Sequence, residues 1–127
     1  MNNIYKNNNN LYERKKKGYE KIHKYYPYRL PVIIQKSKND KIISQLPKDQ
    51  FLIPADMNVS SLIMILRNQF KSYISPAIGL YLFTESGYIL CGNDLLSKIY
   101  DTYKDEDKML YLFYCSENTF GKFLFNI

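Results

Sequence analysis

Tryptophan is absent from this chain, histidine occurs once, cysteine twice and glycine five times, and each scarcity removes a class of function. His23 lies alone on a lysine-rich stretch. No nucleophile–base pair and no pair of carboxylates suggests catalysis, so His23 reads as a surface residue and the protein as no enzyme. Cys91 and Cys115 fall in a turn-like and a strand-like segment without metal-ligand spacing, and no signal peptide precedes them. They are expected as reduced thiols in a cytosolic protein. Asp105, Glu106 and Asp107 read as a solvated loop rather than as metal ligands, and no metal or other cofactor is expected. The longest apolar run without aromatics, Leu62–Leu66, is far below the ~20 residues of a membrane span, so membrane association would have to be borrowed.

What is present is aromatic and basic. With 127 residues, 46% of them hydrophobic, the chain is long enough for one domain with a real core and a decoration. Thirteen Tyr and seven Phe supply core volume. The net charge of +6 is uneven: residues 1–26 carry Lys6, Arg14, Lys15, Lys16, Lys17, Lys21 and Lys24 against Glu13 and Glu20, which leaves +5 there and +1 elsewhere. Charge alone allows nucleic acid, anionic lipid, an acidic protein surface or a merely solvated helix face. No base-reading motif interleaves the cations, so nucleic acid is not expected as a partner; a steep salt dependence of affinity would mark that reading.

Along the chain, Asn-rich residues 2–10 read as an arm, followed by an amphipathic helix from Leu11 to Tyr25 that stops before Pro27 and is weakened by Gly18. Residues 1–26 thus form a helical extension. Arg29–Lys36 is a β-branched strand and Ser37–Asp49 a polar, turn-rich stretch. Gln50–Ile53 is its hairpin partner, closed by Pro54, which lacks a ladder donor and fits an edge. Asn58 is placed to cap a helix with the stripe Val59, Leu62, Ile63, Leu66 and Phe70. Gly79–Phe83 and the Gly87–Leu90 turn read as strand material, Asp94–Tyr103 as a short helix, and Met109–Tyr114 as an apolar closing strand suited to the middle of a sheet. The order predicts an α+β fold, a β-grasp over 27–115, with first and last strands parallel at the centre and residues 116–127 as a flexible tail.

The segments Glu20–Ile22, Tyr26-Pro-Tyr-Arg-Leu-Pro-Val-Ile33, Phe51-Leu-Ile-Pro54, Tyr103-Lys-Asp-Glu-Asp107, Leu110-Tyr111 and Ser116-Glu-Asn-Thr-Phe-Gly121 occur in this order. From about Tyr12 to Gly121 the chain resembles the autophagy-related ubiquitin-like modifiers, the group of autophagy-related protein eight and GABARAP. The resemblance implies a ubiquitin-like β-grasp with an N-terminal helical extension. It implies too that a cysteine protease cuts after Gly121, next to Phe120, and releases Lys122–Ile127. Activating and conjugating enzymes would pass Gly121 through thioesters to the amine of phosphatidylethanolamine, and a residue without Cβ suits narrow enzyme channels. The product would be cytoplasmic before lipidation and would sit on autophagosome and vesicle membranes after it.

The resemblance further implies that a partner peptide, such as that of a cargo receptor, adds to the Gln50–Ile53 edge. Its aromatic residue would enter a pocket of Ile22, Pro31, Ile33, Leu52 and Met109, and its aliphatic residue a pocket of Phe51, Ile53, Pro54, Met57, Leu62 and Ile65. A core role competes with this reading, most strongly at Ile33 and Leu62; Phe51, Leu52 and Pro54 are the better docking candidates. Arg29 and Lys48 match basic positions that would meet acidic flanks of the peptide. Gln50 and Gln69 stand where the family has Lys and Arg, and Met109 where it commonly has Phe, which shifts preference toward apolar anchoring. The resemblance also implies membranes or tubulin as what the basic helix would touch. An unlipidated vesicle-trafficking adaptor using the same groove is the alternative.

Overall fold

The computed structural model describes residues 9–70 and 74–117. Helix α1 (Asn9–Tyr25) takes in the last two residues of the expected arm, the rest of which lies outside the described residues. It ends where Tyr26 N–H donates to the Ile22 carbonyl at 2.7 Å, just before Pro27. Strands β1 (Arg29–Lys36) and β2 (Gln50–Pro54) pair antiparallel. Helix α2 (Val59–Gln69) starts at Asn58, whose side chain accepts the Ser61 N–H at 2.9 Å as the expected cap. Strand β3 (Leu80–Thr84), helix α3 (Leu96–Tyr103) and strand β4 (Leu110–Ser116) complete the order.

The four strands run β2-β1-β4-β3, with β1 and β4 parallel at the centre and the outer pairs antiparallel. This is the ubiquitin-like β-grasp with its helical extension. Central position explains the burial: Pro31–Ile34 and all of Leu110–Ser116 are covered on both faces, and a two-sided strand loses the polar alternation of an outer one. On one face Val32, Ile34, Leu110 and Leu112 pack with Val59, Leu62 and Leu66 of α2 and Leu96 and Ile99 of α3. On the other, Ile33, Met109 and Tyr111 form a small cluster under Tyr19 of α1.

The two inner helices brace each other at their starts. Leu95 offers no side-chain cap; Leu96 N–H donates instead to Met57 O at 2.9 Å, and Ser60 N–H to Gly92 O at 3.0 Å. A Cβ on Gly92 would stand 2.4 Å from Ser60 Oγ, so a larger residue there would have to turn the Ser60 hydroxyl aside.

Three expectations are corrected. The Gly87–Leu90 turn pairs with β3 more briefly than a strand: Gly87 at φ 97 closes it onto Thr84, and Thr84 N–H to Tyr88 O and Leu90 N–H to Leu82 O, both at 2.9 Å, flank the single Phe83–Ile89 bridge. Asp107 is fully buried rather than solvated, because its carboxylate accepts the Met109 N–H at 2.9 Å and the Tyr111 hydroxyl, across a turn that puts Lys108 at φ 67. The stretch Ser37–Asp49, read as polar, carries the buried anchors Asp40 and Ile43. Strand β4 also takes in Ser116, one residue beyond the expected domain boundary.

Candidate functional site

Strand β2 is an outer strand because Pro54 and the turn after it leave no strand beyond, and its alternation distributes the expected pocket residues over both faces. Leu52 is opposite Pro31 and Gln50 opposite Ile33, so these four share the α1 side, where Met109 packs on Ile33. Ile22 comes to the same side from α1, half-buried one turn after Tyr19. Phe51 and Ile53 point the other way into the α2 side, where Met57 and Leu62 also pack. Pro54 has the parity of Leu52, and its carbonyl accepts Met57 N–H at 3.1 Å, which brings Met57 back beside the edge. Ile65 is exposed on the outward side of α2.

Burial divides these residues by what a partner could touch. Ile33 and Leu62 are 0% exposed, and Pro31, Ile53 and Met109 are also buried. They can be floors, and they are core whether or not a partner binds. Ile22, Phe51, Leu52, Pro54 and Met57 are half-buried, which leaves apolar surface on both sides of one free strand edge. Lys48 Nζ lies 5.5 Å from the Phe51 ring centroid, over the approach to the α2 side. Arg29, also exposed, donates from Nη1 to the Leu52 carbonyl at 3.3 Å. Two cations thus flank an edge with open backbone groups, an arrangement suited to an extended, acidic-flanked segment.

The matching of this geometry to known proteins is extensive. A family model described as autophagy protein Atg8, ubiquitin-like, matches residues 13–121. Autophagy-related protein 8 of Neurospora crassa is 36% identical over 113 residues, covering 88% of this chain and 89% of that protein. The Mycosarcoma maydis protein of the same name is 33% identical over 115 residues, 91% of this chain and 94% of its own. This chain belongs to the Atg8 family. The crystal structure of Trypanosoma brucei ATG8 superposes with a TM-score of 0.82 at 29% identity, over 92% of this chain and 97% of that one. Membership of the Atg8 family places the chain among the autophagy machinery.

Phe120 and Gly121, the expected processing residues, lie outside the described residues, but the point from which they depart is well defined. Asp40 accepts Ile42 and Ile43 N–H through Oδ1, at 2.8 and 3.1 Å, and Ser116 N–H through Oδ2. Glu117 N–H donates to Gly79 O at 2.8 Å on the other side. Burial pushes the Asp40 carboxyl up, but the amides of Ser116, Ile43 and Ile42 more than offset it and hold its pKa below the ordinary value. The neighbouring Cys115 thiol is raised to about 11 by burial and then by the Asp40 charge, so it stays protonated and unreactive at neutral pH. No signal in the sequence marked Asp40, which stands 76 positions from Ser116 in a run of turn residues. Among the described residues no helix is long and apolar enough to cross a membrane.

Proposed function

We propose that this Atg8-family protein is a ubiquitin-like modifier precursor, cut after Gly121 and conjugated to phosphatidylethanolamine, that recruits cargo receptors during autophagosome formation. A cysteine protease hydrolyses the Gly121–Lys122 peptide bond. The freed carboxylate is activated as an enzyme thioester, and the lipid amine displaces the thiol to form an amide. The modifier is substrate in each of these steps and catalyst in none. Two acyl chains, at ~0.8 kcal/mol per buried CH₂, hold it on the membrane without a spanning helix. Before that step the protein is cytoplasmic; afterwards it lies on autophagosome and vesicle membranes. The family match ends at Gly121 and leaves Lys122–Ile127 beyond it, which supports the cut.

The observation that carries the receptor-binding half is the free edge of β2, flanked by half-buried Ile22, Leu52 and Pro54 on one side and Phe51 and Met57 on the other. The first test is the intact mass of the protein recovered from its own cells, beside a Gly121→Ala form. Loss of Lys122–Ile127 and a further species heavier by one phosphatidylethanolamine, both absent from the variant, are expected. A full-length mass in both under starvation overturns conjugation and favours the unlipidated adaptor.

A further inference from the structure

The loop between β1 and β2 is tied to the end of β4, and the tie decides which of its side chains face outward. Ser37 N–H donates to Tyr114 O at 2.8 Å, and Asp40 accepts Ser116 N–H. The Tyr114 hydroxyl accepts Leu46 N–H at 3.0 Å and donates to Ser44 O at 3.1 Å. Asp40 is thereby fully buried, its charge taken up by the amides of Ile42, Ile43 and Ser116. As sequence, Lys38-Asn39-Asp40-Lys41 is half-neutralised; folded, it presents Lys38 and Lys41 outward with the carboxylate between them turned inside. Ile42 follows, 50% exposed, with its own N–H held by the same carboxylate. Glu117, the exposed carboxylate at the strand end, lies over Gly79 on the β3 side of β4, whereas the loop lies on the β1 side.

We infer that this loop, through Lys38, Lys41 and Ile42, is the face that the conjugated domain lays against an anionic membrane. The inference rests on the conjugation reading above and deepens it by naming the lipid surface and the residues that meet it. From Glu117 to Gly121 is a tether of four residues, which spans at most about 14 Å. A lipid on Gly121 therefore keeps the end of β4 within that distance of the headgroups. Lys38 and Lys41 directly follow Ser37 and Asp40, the residues that bond β4, so they arrive at the surface with the tether. Each lysine near an anionic surface favours contact by about fivefold, and exposed Ile42 adds apolar contact at the headgroup boundary. The tether supplies proximity, and the lysines choose the pose. In this pose Gln50 is at the foot of β2, because β1 ends and β2 begins at this end of the sheet. The strands then rise from the bilayer, and the outer edge of β2 opens sideways to a peptide.

The test attaches the lipid chemically. The chain ending at position 121, as the proposed cut leaves it, carries Gly121→Cys and Cys91→Ser and is coupled to a maleimide lipid in vesicles; Cys91 is the exposed thiol to be removed, and Cys115 is buried. The vesicles are of phosphatidylcholine, with or without phosphatidylserine. A short pulse of an amine-acetylating reagent, read by mass spectrometry, reports each lysine. Labelling of Lys38 and Lys41 should fall about fivefold or more on the anionic vesicles relative to the neutral ones, and recover in high salt. Lys98 of α3 should not change. Its helix starts beside the start of α2, whereas Arg67, near the other end of α2, bonds Ile78 O next to the tail exit. Lys38→Gln should return most of the labelling of Lys41, because the two charges hold one contact. Equal labelling on both vesicles overturns the inference. So does protection confined to the exposed Lys17, Lys21 and Lys24 of α1, which would lay the domain on its helix instead. A Lys41 that stays protected in Lys38→Gln overturns the joint patch. Equal labelling leaves conjugation untouched, since no enzyme made the link; a full-length mass in cells overturns conjugation, and this inference with it, whatever the vesicles show.

Discussion

The two faces of the sheet are built from the same two central strands and are held in unlike ways. Toward α2 and α3, Val32, Ile34, Leu110 and Leu112 meet a continuous apolar layer in which Leu62, Leu66 and Leu96 are fully buried. Toward α1, the three residues Ile33, Met109 and Tyr111 meet Tyr19. Burial of apolar area is the main favourable term in folding, so the first face carries the stability of the domain. The second attaches a basic helix on which Ile22 is half-buried and most of the other described side chains are exposed. The peptide docking proposed at β2 would straddle both, with one anchor against the stable layer and the other against the weakly attached one.

The largest effect that would test this division is Leu66→Ala. Leu66 is 0% exposed in the larger cluster, and truncation there should cost about 2–5 kcal/mol through lost transfer energy and the cavity left behind. Urea unfolding at neutral pH is the measurement. A loss below about 1 kcal/mol would show that α2 repacks freely and that the two faces differ less than their burial implies.

The second prediction concerns a group that belongs to neither face but closes the end of β4. Asp40→Asn keeps an acceptor for Ile42 and Ile43, but an amide NH₂ cannot accept from Ser116 N–H. One buried bond is thereby broken, at a cost of about 1–3 kcal/mol. The pH dependence identifies it. The folded carboxyl has its pKa below the unfolded value of 3.8, so its contribution is fully present above that pH and is lost as pH falls through the folded value. The gap between wild type and Asp40→Asn should therefore be full at pH 7 and close in acid below about pH 4. A gap that stays constant in acid would mean the carboxylate contributes packing and no charge-assisted bonds.

Much of this architecture was legible because local chemistry and tertiary role agree. Asn58 is a cap by type and by position, the Val59–Phe70 stripe has the period of a helix on a sheet, and Leu110–Phe113 is too continuously apolar for an outer strand. Pro54 marked the edge by lacking a donor. The groove residues followed from resemblance; the alternation of Phe51, Leu52 and Ile53 agrees with the register observed, while Pro54 falls on the Leu52 side rather than with Phe51 and Ile53. What was not legible depends on partners distant in sequence or on a backbone turn. Asp107 resembles its acidic neighbours Asp105 and Glu106, half-buried and exposed, until the turn at Lys108 sets it beneath Tyr111. Asp40 finds Ser116 only once β1 and β4 lie parallel. Gly87–Leu90 has strand-like composition but is consumed by a turn. The Arg29 contact with Leu52 depends on a register that no local pattern reveals.

The smallest effect is the sharpest test of the comparison, because its sign is known and its location is the question. Gly18 sits inside α1, and a Cβ built on it meets nothing within 4 Å. Gly18→Ala should therefore stabilise the helix by up to about 1 kcal/mol through reduced backbone freedom in the open state. If α1 opens from the sheet on its own, that gain appears only there: amide hydrogen exchange in α1 slows by up to about fivefold, while the urea midpoint of the whole domain stays where it was. If the midpoint rises by the full amount instead, α1 opens only when the domain does. The cluster under Tyr19 would then couple the extension to the core, and the aromatic side of the docking edge would be as firmly built as the aliphatic one.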